Sequence, residues 1–466
     1  MKALAIGGVG TVGSVGTAGL VNALTPRLFP EERVFERNTG YWSRALPRPL
    51  PPLTADAEFD VVIVGGGFTG LSCAYYVRKL FPGKRVAVLE ASTCGNGASG
   101  RNGGMVLTMT EDTYLRLGDD PKADRALYEL TADNVRRLEA LSTEHGIDCE
   151  LERNGALQTF STRDEAQAAA ALCARAAGLG FPFQYWDAEK TVGVLGTRAY
   201  AGAIYDPGGG QVHPGKLVGL WKQAALGAGA EIHEFSPVVD IREGTVHELR
   251  SAAGHRVRAP SLVLATNAYT SRLGYLRRAV VPIFDYVGIT PPLSEAQLTV
   301  AGWTRRIPFN DSRMETYYAG LGRDGRIHFG GGPVDYAFND GLRSPADAPR
   351  RHAALHAEFA RLFPSLASVP FEVQWAGAVD MSLDGSPCVG SLGHANNIFY
   401  ALGYSGHGVN LTSVFGRIIA DLIAGERARW SWLPFLYRLP PYIPNEPFRW
   451  MGVNLGIDWY RWTDRV

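Results

Sequence analysis

The sharpest change in the hydrophobic pattern comes at Phe59. FDVVIV is an apolar run too short for a helix and closed by glycine, which is the pattern of a strand buried on both faces. GGGFTG follows as a turn, and LSCAYYVRKLF continues at helical spacing. Pro82-Gly83 stops that helix, and KRVAVLE reads as a second strand. Strand, helix and strand in this order predict a parallel βαβ unit. Residues 120–180 are rich in Ala, Leu and charge at helical spacing, with breaks near Gly146 and Gly155; 215–228 reads as another helix, and LVLAT (262–266) as another buried strand. Residues 276–340 alternate as an antiparallel sheet does, with turns at Gly322 and Asp324-Gly325. HAALHAEFARLF (352–363) is an amphipathic helix that Pro364 stops. Near the end, NIFYALG is a strand, GYSGHG a turn, and VNLTSVFGRIIADLIAG a helix closed by Gly425. Parallel α/β segments thus enclose helical and antiparallel ones, which predicts two interleaved domains.

Length agrees with two domains, because 466 residues exceed what one hydrophobic core organises. Lys+Arg and Asp+Glu number 46 each, so there is no basic excess to point to a nucleic-acid partner. The five cysteines form no CxxC pair, which argues against a disulfide framework or a metal site and for a reducing, cytoplasmic compartment. Residues 3–24 carry no charge and are just long enough to span a bilayer, though many glycines weaken their apolar character. This stretch reads as a membrane anchor or as a disordered extension, with a cleaved signal third; as an anchor, Arg27, Arg33 and Arg37 behind it would hold the body in the cytoplasm. YWSRALPRPLPPLT (41–54) is a linker or extended arm. The tail, 429–466, is rich in tryptophan; packing on the body, a subunit contact and a membrane surface are its three readings, the first being the plainest.

The chemistry begins with Gly65-x-Gly67-x-x-Gly70 between strand and helix, and with Glu90 ending the next strand. Gly65 allows a tight turn, Gly67 lets the backbone approach a pyrophosphate, and Gly70 lets the helix sit close to the sheet. Free N–H groups and the helix dipole hold the phosphates, and the Glu90 carboxylate accepts from ribose hydroxyls. A loop follows at Ala98-Ser99-Gly100-Arg101-Asn102-Gly103-Gly104, rich in donors that could wrap the far end of an extended cofactor.

VVIVGGGFTG, the Glu90 spacing and GASGRNGG together resemble the D-amino-acid oxidase superfamily of FAD enzymes, closest to its gamma-glutamylputrescine oxidase-like branch. Gly210-Gln211-Val212-His213-Pro214, Leu264-Ala265-Thr266-Asn267-Ala268-Tyr269-Thr270, Trp375-Ala376-Gly377 through Asp384-Gly385-Ser386-Pro387, and Gly403-Tyr404-Ser405-Gly406-His407-Gly408-Val409 continue the resemblance in order, over roughly residues 41–466. It implies an α/β chain, α+β overall: a Rossmann-like FAD-binding domain (58–108, 206–275 and 370–425) interleaved with a substrate domain built on an antiparallel sheet (109–205 and 276–369). Residues 1–57 precede these as the apolar segment and arm, and 426–466 follow as the tail. Besides the glycines and Glu90, the implied FAD contacts are Phe68, Thr69, Ala98, Ser99, Arg101, Asn102, Gly103, Gly104, Met105, Val238, Thr266, Asn267, Gly377, Gly403, Ser405, Gly406, His407, Gly408 and Val409. The glycine turn at 403–408 opens a helix whose positive end would stabilise charge on the reduced ring.

Two departures narrow the expectation. Amino-acid oxidases of this superfamily commonly hold the substrate carboxylate with an arginine just after the glycine of W-x-G. Ala378, Val379 and Asp380 stand there instead, and Asp380 favours a cation, unless it is a surface or turn residue. The reading is therefore a small amine or polyamine, oxidised by hydride transfer to flavin N5 to give an imine. Relatives that attach FAD covalently carry a cysteine before a tyrosine-containing strand; Met314-Glu315-Thr316-Tyr317-Tyr318 has none, so FAD is expected to be non-covalent. Tyr286, Tyr317, Tyr318 and His407 are pocket candidates, with Tyr286, Tyr318 and His407 the catalytic ones. Oxygen or a carrier such as a quinone takes the electrons. The alternatives are a membrane-associated dehydrogenase of an amino acid or derivative feeding a quinone, and a non-catalytic flavin-binding subunit. A monooxygenase or halogenase lacks support, as no convincing late GD-type phosphate motif is found.

Overall fold

The computed structural model describes residues 37–108, 117, 119–342 and 348–463. The apolar stretch 3–24, and with it the choice between anchor, extension and signal, lies outside the described residues. Among the described residues no helix is long and apolar enough to cross a membrane.

In chain order the elements that position the site are β1 (Val61–Val64), α1 (Phe68–Leu80), β2 (Val86–Leu89), α2 (Pro121–His145), β3 (Ala156–Phe160), β4 (Gln184–Asp187), β5 (Gly202–Asp206), α3 (Pro214–Gly227), β6 (Glu231–His233), β7 (Ser261–Leu264), β8 (Val281–Ile289), β9 (Phe309–Asp311), β10 (Tyr317–Leu321), β11 (Ile327–Gly331), α4 (Ala348–Leu362), β12 (Val373–Met381), β13 (Cys388–Leu392), β14 (Ile398–Leu402), α5 (Gly408–Ile423) and α6 (Phe448–Thr463). α2 begins where Asp120 accepts from Ala123 N–H and ends at Gly146, whose φ of 62° lets the chain turn away.

One sheet runs β13-β14-β7-β1-β2-β6, parallel except for β13. Its strands read as unbroken apolar runs because both faces are covered. Val61 and Ile63 pack towards α1, α3 and α5, while Val62 and Val64 pack on the opposite side with Leu249, Val257 and Tyr275. Each such side chain contributes roughly 1.5–3 kcal/mol by leaving water. α1 and α5 approach closely at Gly416, where a Cβ would lie 2.2 Å from Ser72 Oγ.

The second sheet runs β12-β8-β11-β10-β9-β3-β5-β4. It is antiparallel except where β9 meets β3. α4 covers one face, with Leu355 and Phe359 packed against Phe284, Tyr286 and Phe329. The α/β and antiparallel layers expected from the sequence are both present. One boundary needs correction: β12, placed by sequence at the start of the last cofactor segment, pairs with β8 from Val281↔Met381 to Ile289↔Val373. A buried strand leaves the same apolar signature in either sheet, so the local pattern could not decide its partner.

The proline-rich arm is tied to the body. Trp42 Nε1 donates to Asn102 O at 2.8 Å and Leu53 N–H to Ser236 Oγ at 2.9 Å. Glu234, buried and paired with Lys222 at 2.7 Å, also accepts from Leu50 N–H and Cys94 N–H.

Candidate active site

A cavity of about 600 Å³ opens at the carboxyl ends of β1 and β7, where strand order reverses, and continues under the second sheet. Three glycines shape its first wall. Gly65 has a φ of 109°, and a Cβ on it would lie 2.5 Å from Ala265 O. At Gly70 a Cβ would lie 1.9 Å from Gly65 O, so only glycine lets α1 start this close to the strand. Gly67 caps α1 without a side chain, and Ser99 Oγ accepts from Phe68 N–H at 2.9 Å. Glu90 accepts from Gly66 N–H at 2.6 Å and Ser92 N–H at 2.9 Å. Burial raises its carboxyl above the ordinary range, and each oxygen keeps a lone pair for a hydroxyl.

The loop after β2 is locked by its own side chains. Asn102 Nδ2 donates to Ala98 O and Ser99 O, and its Oδ1 accepts from Gly104 N–H. Arg101 donates to Asn96 O at 2.9 Å and Ala376 O at 3.0 Å, joining the loop to β12.

The turn before α5 hangs on Asp380. This carboxylate is completely buried, which corrects the cation-binding and surface readings alike. Its Oδ2 accepts from Gly403 N–H at 2.5 Å and its backbone oxygen from Ser405 N–H at 3.1 Å. Ser405 sits at φ 50°, and its Oγ accepts from Ser382 N–H at 3.1 Å. Burial pushes the Asp380 carboxyl up to about 7. Its Oδ1 is buried and makes no close hydrogen bond, although the Asn267 side chain lies beside the carboxyl and lowers its pKa in part. A glycine cradle that any Cβ would fill, and an acid at the second strand with lone pairs left for hydroxyls, suit a large polar cofactor with O–H donors, as FAD is.

Beyond the loops the wall is Val281, Ile283 and Val379, with α6 as a roof. Asp285 interrupts this apolar surface. Its Oδ2 accepts from Tyr318 OH at 2.7 Å and its Oδ1 from Tyr286 N–H at 2.9 Å. The side chain keeps some exposure, to the cavity, yet desolvation pushes its carboxyl up to about 6. Of the acids on this side of the cavity, Asp311 is paired with Arg313, and Glu315 with Arg461 at 2.9 Å. Asp285 has no cationic side chain on it among the described residues.

Besides Arg101, two arginines line the cavity, neither of them just after Gly377. Arg449 grips Asp340 at 2.7 and 2.8 Å. Arg272 donates through Nη2 to Asn339 O and Asp340 O, while its buried Nε has no partner.

Of the residues expected to touch the cofactor, all but Gly70, Gly104 and Gly403 line this cavity. Those three shape it from behind: a Cβ on Gly104 would lie 2.3 Å from Val212 O, and Gly403 is the residue Asp380 holds. Tyr318 and His407 line it as well, and His407 Nδ1 lies 3.1 Å from Ser405 O. Tyr286 does not. Its ring is fully buried on the α4 side, edge-on to His352, with its hydroxyl on Asp335. Successive strand residues face opposite ways, so Asp285 takes the cavity side and Tyr286 the core. Tyr317 likewise stacks on Phe329 at 5.6 Å, away from the cavity. Sequence reasoning missed Asp285, Arg272 and Arg449; a lone acid inside VVPIFDYVGIT was the one signal available.

The family model DAO, "FAD dependent oxidoreductase", matches residues 60–422. The "Probable oxidoreductase OrdL" of Rhizobium meliloti is 31% identical over 91% of this chain and 97% of its own length. The "Gamma-glutamylputrescine oxidoreductase" of Escherichia coli is 29% identical over 92% of this chain and 99% of its own. The crystal structure of glycine oxidase from Geobacillus kaustophilus superposes with a TM-score of 0.67 at 25% identity, covering 79% of this chain and 95% of that one.

Proposed function

The chain belongs to the DAO family of FAD-dependent oxidoreductases, and on that premise we propose that it oxidises a C–N bond of an amine or polyamine to an imine. Asp285 carries this reading: a carboxylate with no cationic side chain on it, beside the apolar Val281, Ile283 and Val379, is a receptor for an ammonium group. With its carboxyl near 6, it can also take the ammonium proton, leaving the amine neutral and ready to react. Tyr318 fixes Asp285 in place through its hydroxyl. Val281, Ile283 and Val379 keep water from the reacting carbon and disfavour a charged amine. FAD supplies the acceptor for the hydride on the carbon beside nitrogen. The imine then hydrolyses in water.

None of the five cysteines lines the cavity, which supports non-covalent FAD; acid precipitation that leaves the flavin in the supernatant would agree. The first test is the visible spectrum under anaerobic amine addition. Bleaching by polyamines or secondary amines supports the reading, and bleaching by simple amino acids alone overturns it. Admitting oxygen then separates an oxidase from a dehydrogenase that needs a carrier or quinone.

Arg272 favours a second reading, in which the amine bears a carboxylate away from the reacting carbon. The Escherichia coli relative is named for gamma-glutamylputrescine, and such a substrate would meet both groups. Arg272→Gln would then raise KM for carboxylate-bearing amines and leave plain diamines unaffected.

A further inference from the structure

Among the described residues, fourteen large apolar side chains are exposed, and eight of them lie between Leu439 and Trp462. Five form a single stripe on α6: Phe448, Met451, Leu455, Trp459 and Trp462, at helical spacings of three and four. Leu455 is 67% exposed and Trp459 58%. The adjoining side of the same helix, including Gly452, Val453, Gly456 and Ile457, roofs the cavity, and Phe448 at the start of the stripe borders it too. A helix on a protein surface ordinarily turns polar residues outward, so a continuous outward stripe of this kind marks an interaction surface.

We propose that this stripe lies in the head-group layer of an anionic membrane surface. The chemistry of the patch selects lipid. Tryptophan and tyrosine concentrate at the membrane interface, where an apolar ring and a polar N–H or O–H are both satisfied. Trp459 and Trp462 occupy the end of the stripe, and Tyr442 lies exposed before its start. Cations flank that start. Arg449 Nη2 holds Arg277 O against the helix, Arg278 donates to Asn445 Oδ1, and the Arg278 guanidinium lies 4.8 Å over the Tyr442 ring. Neither Arg277 nor Arg278 has a carboxylate partner among the described residues, and Arg277 is exposed, so this end carries uncompensated positive charge that suits anionic head groups. The chain also carries the uncharged stretch 3–24 ahead of Arg37. Weak surface anchors act in pairs.

The test is co-sedimentation of the full-length, flavin-loaded protein with phosphatidylcholine vesicles, with and without phosphatidylglycerol. The protein should sediment with the anionic vesicles. Leu455→Glu/Trp459→Glu should lower the bound fraction about tenfold with an unchanged flavin spectrum. Arg277→Gln/Arg278→Gln should remove the preference for phosphatidylglycerol. A second measurement avoids disruptive changes: brominated lipids should quench part of the tryptophan emission, and Trp459→Phe/Trp462→Phe should lose that part. The proposal is overturned if the parent stays in the supernatant with both vesicles. It is equally overturned if the Leu455→Glu/Trp459→Glu variant binds like the parent, which would assign binding to the N-terminal stretch. A lipid-free dimer that this variant dissolves, with no vesicle binding by the parent, would make the stripe a contact between copies.

Discussion

Tyr318 reaches Asp285 across an intervening strand. The two residues sit on β10 and β8, with β11 between them, and the Tyr318 hydroxyl donates to Asp285 Oδ2 at 2.7 Å. Gly330 makes the crossing possible. It pairs with Tyr318 on one side and Val287 on the other, and a Cβ there would lie 2.4 Å from the Tyr318 Cζ and hydroxyl oxygen.

Gly330→Ala should therefore act like a lesion at Asp285. The methyl group pushes the phenol aside and leaves the carboxylate without its donor. We expect kcat/KM for amines to fall about tenfold with flavin content unchanged. Steady-state kinetics beside the flavin-to-protein absorbance ratio check it.

Asp285→Asn should abolish a pH dependence as well as lower the rate. If the ionised carboxylate receives the ammonium, kcat/KM in the parent rises with pH through about 6 and levels off. The asparagine variant should lack that limb between pH 5 and 7. An unaltered limb would assign it to another group.

The two tyrosines should separate cleanly. Tyr286→Phe loses the hydrogen bond to Asp335 and roughly 1 kcal/mol of stability, with kcat/KM nearly unchanged. Tyr318→Phe should lower kcat/KM and shift the acidic limb. Paired denaturation and rate measurements on both variants decide it.

Gly70→Ala should empty the protein of FAD. The added methyl would lie 1.9 Å from Gly65 O, which is backbone and cannot swing away, so α1 must retreat from the turn. The purified variant should be nearly colourless, and added FAD should not restore the spectrum.

Asp380 should make stability fall as pH rises. Its folded carboxyl is pushed up to about 7 from an ordinary 3.8, so between those values the folded chain keeps a proton that the unfolded chain has released. That contribution is full below about 3.8 and is lost as pH rises through about 7. Denaturation midpoints at pH 5 and 8 should differ less in Asp380→Asn than in the parent.

Elements whose rules are local could be read along the chain. Gly65, Gly67, Gly70 and Glu90 lie in one βαβ unit, where a turn and two adjacent strands leave few alternatives, and the same holds for the glycine turn into α5. Relations across a sheet depend on segments far apart in the chain and emerge once it has folded. Strand β12 joined the second sheet because β8 offers it nine paired residues, a partner no local pattern names. Asp285 faces the cavity and Tyr286 the core because a strand alternates, and which face is wet depends on what covers it: α4 on one side, the cofactor cavity on the other. Asp380 reads as a cation receptor in the chain and becomes the buried anchor of the Gly403–Ser405 turn once β12 is in place. A short polar motif carries its own geometry, whereas the role of a single carboxylate is set by the dielectric and the partners that distant segments bring to it.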